Sequence, residues 1–395
     1  MVLTEQDIIR ILKDKPNNAI LTSAQTQSKK LSQHITGIKS SDLLTKISGL
    51  ENEDQIKLRK DYARSNKDIF ARIHRPEDKV FSAKGGSVVY KLPEAQQKDF
   101  ITKLQNVYNG FSLRSWTKEI AKQYFHIDPM GLIFMEVSMN ETYPTYKSTH
   151  YIYDYKLKGR NVEYVVFTTE DPKEYRVVDD MFDYLVEWDG TLLRTIQEKT
   201  FPNYYGYVPA KIISNLIGNN TEYYTSPDWE IIELADEYLR ETSVKSIYKL
   251  KHGFPKAWQY YGVCGTCKGT QFVEGKECPT CNGSGKAVSR DTSETISIPI
   301  PLEGQPTITP DVAGYVSPDI EGWTKMTDEL TSLENMMHST YWGIKDRIKS
   351  VGIGNEKTAT EIIDDMQPLH DRLFSFSNWG QDIDTFVTNC MGQFY

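Results

Sequence analysis

Apolar residues recur at helical spacing toward both ends of this chain and gather into β-branched and aromatic runs in its middle, a pattern that predicts helices and a sheet. Thr4 is a suitable N-cap for a helix carrying Ile8, Ile9, Ile11 and Leu12, and Lys15-Pro16 ends it. Lys29 to Leu50 is rich in Ser and Lys and reads as an arm or loose connector. A charged helix is expected from about Asn52 to Ala71, with Ile56, Leu58, Tyr62, Ile69 and Phe70 as a partial stripe. Phe100, Leu104, Tyr108, Trp116, Ile120 and Tyr124 predict more helix over 93–125. Residues 128–215 change to β-branched and aromatic runs such as Leu132–Val137, Val162–Phe167 and Met181–Trp188, separated by turns at Lys158-Gly159, Asp171-Pro172 and Asp189-Gly190. They predict an antiparallel domain of five or more strands. Tyr207–Ile213 is expected to close it as an edge strand, because Pro209 cannot donate to a ladder.

Ser226-Pro227 starts a further helix, with Trp229, Ile232, Ala235 and Leu239 on its apolar side. Ile296–Pro301 reads as extended, and Leu302–Val316 as a Pro-, Gly- and Thr-rich loop. Ser317-Pro318-Asp319 opens the longest expected helix, striped by Ile320, Trp323, Met326, Leu330, Leu333, Met337, Tyr341 and Ile344. After Val351–Gly354 come a helix from Thr358 through Leu373 and a separate one from Trp379. The fold class is therefore α+β. Its expected division is a helical region (1–125), a β-rich region (126–215), a helix (216–258), a hairpin insert (259–290), an extended segment (291–318) and C-terminal helices (319–395). No internal repeat is evident.

Length and composition narrow the class without naming a function. A chain of 395 residues with 24 Tyr and 7 Trp can bury a sizeable core, and its net charge of −8 argues against a basic nucleic-acid coat. The N-terminal Met-Val-Leu-Thr-Glu-Gln-Asp lacks the features of a secretion signal, and no run of apolar residues approaches the ~18 of a membrane helix. Free thiols at knuckle spacing fit a reducing compartment.

Those thiols are the strongest chemical signal. Cys264 and Cys267, then Cys278 and Cys281, form two Cys-x-x-Cys knuckles, the spacing at which one backbone turn aims two thiolates at a tetrahedral metal. Zn²⁺ is the expected ion; two disulfides or four buried thiols are the alternatives. Four thiolates close the shell, whereas catalytic zinc keeps an open position, so the ion is expected to be structural. Cys390 stands alone and reads as a packing residue.

Other chemistry is missing from the pattern. Gly283-Ser-Gly-Lys286 fails the phosphate-loop spacing, Gly352 and Gly354 are too few for a dinucleotide fingerprint, and there is no Gly-x-Ser-x-Gly elbow. The seven His show no paired metal spacing; His74, His126, His150, His252, His338 and His370 read as surface or packing residues. The adjacent pairs Asp179-Asp180 and Asp364-Asp365 point their carboxylates apart. No catalytic residue is assigned, and the chain is not expected to be an enzyme.

The order of parts from Phe111 onward resembles that of a tailed-bacteriophage portal protein. The resemblance rests on His126-Ile-Asp-Pro-Met-Gly-Leu-Ile-Phe134 entering the β region and on Gly206-Tyr-Val-Pro-Ala210, which leads through Asn215 to the helix at Ser226-Pro-Asp-Trp-Glu. It continues with the long helix after Tyr315-Val-Ser-Pro-Asp319 and the start Lys357-Thr-Ala-Thr-Glu-Ile362. The Cys-x-x-Cys-x-Gly insert is similar to portals of Bacteroidetes phages. The resemblance implies wing and clip regions of mixed helix and antiparallel sheet, long stem or channel helices, and a homo-oligomeric ring, usually of twelve. Such a ring sits at a capsid vertex of the virion, having been assembled in the host bacterial cytoplasm. Its implied partners are the major capsid protein, the large terminase subunit, a head–tail connector and double-stranded DNA read without sequence specificity, and no membrane is involved. DNA is packaged and ejected through the channel. The chain is short for the family, as a crownless or truncated form would be. Lys345, Arg347 and Lys349 are candidates for a basic rim facing DNA, although cations at a helix C-terminus also complement its dipole. Competing readings are a DnaJ-like zinc-knuckle chaperone, which would carry four knuckles and a His-Pro-Asp loop, and a zinc-dependent nucleic-acid-processing protein.

Overall fold

The computed structural model describes residues 1–47, 49–82, 90–138, 141–218, 222–252, 256–286, 295–299, 313–316, 320–344 and 359–395. They divide into two compact units. One comprises Met1–Glu51, Arg64–Leu239 and Ser332–Tyr395, and the other Asn52–Ala63 and Arg240–Thr331.

The first unit is built on an antiparallel sheet. Its strands are β1 (Leu132–Ser138), β2 (Glu141–Lys147), β3 (Ile152–Lys158), β4 (Asn161–Thr168), β5 (Glu174–Val178), β6 (Phe182–Trp188), β7 (Leu193–Pro202) and β8 (Ala210–Ile212). They run in the order β2-β1-β8-β4-β5-β6-β7, with β3 also paired to β4. β8 therefore lies between β1 and β4 rather than at the expected edge. Proline is excluded from inner strands for want of an N–H, but Pro209 precedes the strand and contributes only its carbonyl, which accepts from Met135 N at 2.9 Å.

Alternation sends successive residues to opposite faces. On one face, Leu132, Phe134, Val165 and Phe167 pack with Leu21 and Ala24 of helix α2 (Asn18–Thr36). On the other, Tyr164 and Val166 meet Ile8, Ile11 and Leu12 of α1 (Glu5–Asp14). α1 starts at Thr4, whose hydroxyl accepts from Asp7 N while Asp7 accepts from Thr4 N. The first part of the Ser- and Lys-rich stretch expected as an arm is instead the end of α2, and Leu31 and His34 there are fully buried.

Two expected helices are interrupted. The stripe over 52–71 breaks into α3 (Glu53–Asp61) and α4 (Lys67–His74). Between them Asn66 is buried, and its Nδ2 donates to Ala235 O at 2.7 Å, a contact that a continuous surface helix would not make. α5 (Asp78–Ser82) follows. The stripe over 93–125 becomes α6 (Glu94–Leu104), α7 (Leu113–Trp116), a π-turn at Thr117–Ala121, and α8 (Lys122–Ile127). The break is a tight turn in which Asn109 and Gly110 take positive φ and Ser112 then caps α7.

Conversely, the two helices expected at the C-terminus form one, α11 (Ala359–Phe394), with Pro368 inside it. Phe376, Trp379, Ile383 and Val387 pack along it against Ile133, Met135, Trp116 and Phe125. This continuous buried seam outweighs the one backbone bond that proline removes. At Gly131, a Cβ would lie 2.1 Å from Tyr146 Oη, so only glycine allows that ring to cover the start of β1.

The remaining helices are α9 (Ile232–His252) and α10 (Ile320–Trp342), preceded by the short pair β9 (Leu216–Ile217) and β10 (Tyr224–Thr225). In the first unit Ile231, Ala235, Met337, Tyr341 and Trp342 join Ile69, Phe70 and Ile73 in one apolar cluster. In the second unit Lys245 Nζ donates to Thr327 Oγ1 at 2.7 Å and lies 4.5 Å from the centre of the Trp323 ring.

The second unit also holds β11 (Lys256–Tyr261), β12 (Phe272–Val273), β13 (Lys276–Glu277), β14 (Thr295–Pro299) and β15 (Ala313–Val316). β11 pairs with β14 in parallel and with β15 antiparallel. The parallel pair departs from the antiparallel expectation. Parallel neighbours need a crossover of a dozen or more residues, and the cysteine insert lies in that connection. Among the described residues no helix is long and apolar enough to cross a membrane.

Candidate metal centre and a buried histidine–carboxylate network

The four knuckle cysteines converge as their spacing predicts. β12 and β13 form a two-residue hairpin through Glu274 and Gly275, both at positive φ, which returns the chain to the first knuckle. Val263 bridges to Lys286 at the base, and Cys264 N donates to Gly285 O at 3.0 Å. All four sulfurs are buried and lie within 4.8 Å of one another.

The two knuckles are near copies, fourteen residues apart. Cys264-Gly-Thr-Cys-Lys-Gly-Thr270 and Cys278-Pro-Thr-Cys-Asn-Gly-Ser284 share Cys, Thr, Cys and Gly at equivalent positions and both end in a hydroxyl residue. In each, the second cysteine is followed by two residues at positive φ, Lys268-Gly269 and Asn282-Gly283. Thr270 Oγ1 donates to Cys267 O at 2.6 Å, and Ser284 Oγ to Cys281 O at 2.7 Å. Thr266 and Thr280 meet through their hydroxyls at 2.9 Å. The chain thus contains a short internal repeat where none was expected, its fourteen-residue period lying below those of repeat architectures.

The residues fit a tetrahedral metal. Cys264 and Cys278 sulfurs are 4.0 Å apart, and those of Cys267 and Cys281 3.6 Å. Four bonds of 2.3 Å in a tetrahedron give edges of about 3.8 Å, whereas a disulfide needs about 2.05 Å. Backbone N–H groups of Cys267 and Thr266 pull the Cys264 thiol down to about 6. Burial opposes ionisation of Cys278, yet the N–H groups of Cys281 and Thr280 leave it lowered. Gly285 N donates to Cys281 Sγ at 3.2 Å. Burial pushes Cys267 up to about 11, so in the absence of a cation not all four sulfurs ionise together. The set can hold one thiophilic divalent ion. The other candidates, Lys345, Arg347 and Lys349, lie outside the described residues.

A second polar cluster, in the first unit, escaped the sequence reading. His126, from α8, is nearly fully buried, with Nδ1 2.7 Å from Asp228 Oδ2 and Nε2 2.9 Å from Glu77 Oε2. Both ring nitrogens face carboxylates, so the imidazole is doubly protonated. His74, at the end of α4, donates from Nε2 to Asp228 Oδ1 at 2.7 Å. Tyr341, on α10, donates to Glu77 Oε1 at 2.6 Å. Lys122 Nζ donates to Asp78 Oδ1 at 2.8 Å and sits 3.5 Å from Glu77. Ser226, which caps the turn before α9, donates to Asp228 Oδ2 at 3.2 Å.

Burial alone would lower the His126 pKa, but Glu77 and then Asp228 raise it to about 9. Burial would likewise raise Glu77, yet His126, His74 and Lys122 bring it to about 2, and the two imidazoles lower Asp228 despite its burial. Ligand atoms of His74, His126 and Asp228 lie within 4.8 Å of one another. The two rings, however, stack at 3.8 Å and 17°. Stacked rings direct their nitrogen lone pairs side by side, so they do not converge on one ion. The arrangement is a proton-held clamp on a carboxylate.

Beside it lies a cavity of about 430 Å³, lined in part by Glu77, Tyr341, Trp342, Arg372 and Phe376. Arg372 rests 4.2 Å over the Tyr341 ring and pairs with Glu230 at 3.1 Å. A third histidine, His34, reaches Asp236 at 2.9 Å. Asp179, dismissed as catalytic, accepts from Leu3, Met181 and Phe182 N–H groups and holds the turn between β5 and β6. The signal available in the sequence for the clamp was the cap Ser226-Pro-Asp228; nothing in the spacing of Glu77 and His126 connected them to it. No family profile matches this chain, and no curated protein matches it.

Proposed function

We propose that the chain is the subunit of a portal-type ring, a non-enzymatic conduit through which double-stranded DNA is packaged and ejected at a phage capsid vertex. The observation that carries this reading is the path of the chain between its two units. It leaves the first along α9, of 21 residues, and re-enters it along α10, of 23 residues. At 1.5 Å per residue each helix is about 30–35 Å long. Between them lie the small mixed sheet and the cysteine hairpin, and beyond α10 comes the long α11. Long stem or channel helices are what the resemblance implies, and we assign α9 and α10 to that role. The eight-stranded sheet and its helices then correspond to the wing. The hairpin binds Zn²⁺ as a staple of the clip, because a polar segment of this size has little apolar core of its own.

In this reading the ring, usually of twelve copies, contacts the capsid protein, the terminase and a head–tail connector. DNA passes without sequence readout, as a net charge of −8 per subunit favours sliding over tight binding. Cyclic assembly needs two different faces of one subunit to meet. Negative-stain imaging of the purified protein is expected to show rings with a central channel. Particles that stay monomeric at high concentration, by imaging and by light scattering, would overturn the assignment.

A further inference from the structure

We propose that the cysteine hairpin is a convertible staple, held by zinc under reducing conditions and by two disulfides that join the two knuckles under oxidising ones. The inference rests on the zinc reading above, and the geometry points to the pairing. Cys267 faces Cys281 at 3.6 Å and Cys264 faces Cys278 at 4.0 Å, each pair fourteen residues apart and equivalent in the repeat. Every sulfur therefore has a counterpart across the hairpin, and a disulfide requires each pair to close from these distances to about 2.05 Å. The frame that presents them also has backbone and side-chain links of its own. The β12–β13 pair, the Val263–Lys286 bridge, the Cys264 N to Gly285 O bond and the Thr266–Thr280 contact all link one half to the other. A bond between knuckles also closes a longer loop than one within a Cys-x-x-Cys, and so constrains the unfolded hairpin more.

The chemistry balances with a two-electron oxidant such as hydrogen peroxide. Four thiolates lose four electrons to form two S–S bonds, the zinc ion leaves, and two peroxide molecules take up those electrons with four protons to give four waters. A particle that leaves a reducing cytoplasm would then keep its hairpin folded after the metal is lost.

Trypsin reads the outcome directly, since Lys268 and Lys276 separate the knuckles. The full-length protein is assayed for bound zinc, treated with hydrogen peroxide while zinc release is followed with a chromophoric chelator, then alkylated, denatured and digested without reductant. The expected result is one zinc released per chain and peptides 257–268 and 277–286 recovered as one disulfide-linked species. In Cys264→Ser the linked species is expected to persist through Cys267 and Cys281. Recovery of the two peptides separately, each with an internal disulfide or with sulfinic or sulfonic acids, would overturn the proposal. Protein that holds no zinc before oxidation but yields the linked species would sink the zinc reading and leave the pairing standing.

Discussion

Replacing His126 by Leu removes the imidazolium held between Glu77 and Asp228, both of which are almost fully buried. Two charge-assisted hydrogen bonds are lost, at about 1.5–3 kcal/mol each. Taking one partner from a buried ion pair costs about 3–5 kcal/mol by itself, because the remaining charges stay desolvated. Raising an imidazole from 6.5 to about 9 corresponds to about 3 kcal/mol, in agreement. Domain stabilities are about 5–15 kcal/mol, so the loss is a large fraction of the total. The expected signature is a melting temperature lowered by about 5–10 °C. Amide exchange should also quicken in α8 and in the 227–231 turn.

The pH profile supplies a second, independent readout. His126 has a raised pKa in the folded protein, so its contribution is complete below about 6.5 and fades as pH rises through about 9. Glu77 has a lowered one, so its contribution is complete above about 4.5 and fades as pH falls toward 2. The parent protein should therefore lose stability between pH 6.5 and 9, and His126→Leu should lack that slope. Adding Glu77→Gln to His126→Leu should recover part of the loss, since an uncharged pair no longer needs compensation. A single variant that melts within a degree of the parent and keeps its alkaline slope would refute the reasoning.

Cys278→Ser, or chelation of the parent protein, should abolish metal binding and speed amide exchange over 263–286 while leaving the first unit's melting unchanged; elemental analysis that finds no metal in the parent would contradict it. Trp379→Ala should destabilise the first unit by about 3–5 kcal/mol, because the indole is fully buried and its N–H donates to Ile213 O at 2.7 Å. Chemical denaturation followed by near-ultraviolet dichroism checks this, and a change below about 1 kcal/mol would mean that α11 does not close the core.

The sequence by itself determined the features that depend on neighbours along the chain. The Thr4 cap, the β-branched and aromatic runs of β1 and β4 and the two Cys-x-x-Cys knuckles are local patterns, and each folds as read. The break at Asn66 and the continuity of α11 through Pro368 were decided by tertiary packing. Both depend on partners distant in sequence, Ala235 for Asn66 and Ile133 for the α11 seam, whereas the break at Asn109 is a local turn. The place of β8 inside the sheet was likewise a matter of which strands met it, since Pro209 needed only a carbonyl partner. The clamp is the clearest case. Glu77, His126 and Asp228 come from three separated segments, and a histidine's charge depends on the groups that surround it in space. No spacing rule links residues 49 and 102 positions apart, yet the fold sets them within hydrogen-bonding distance.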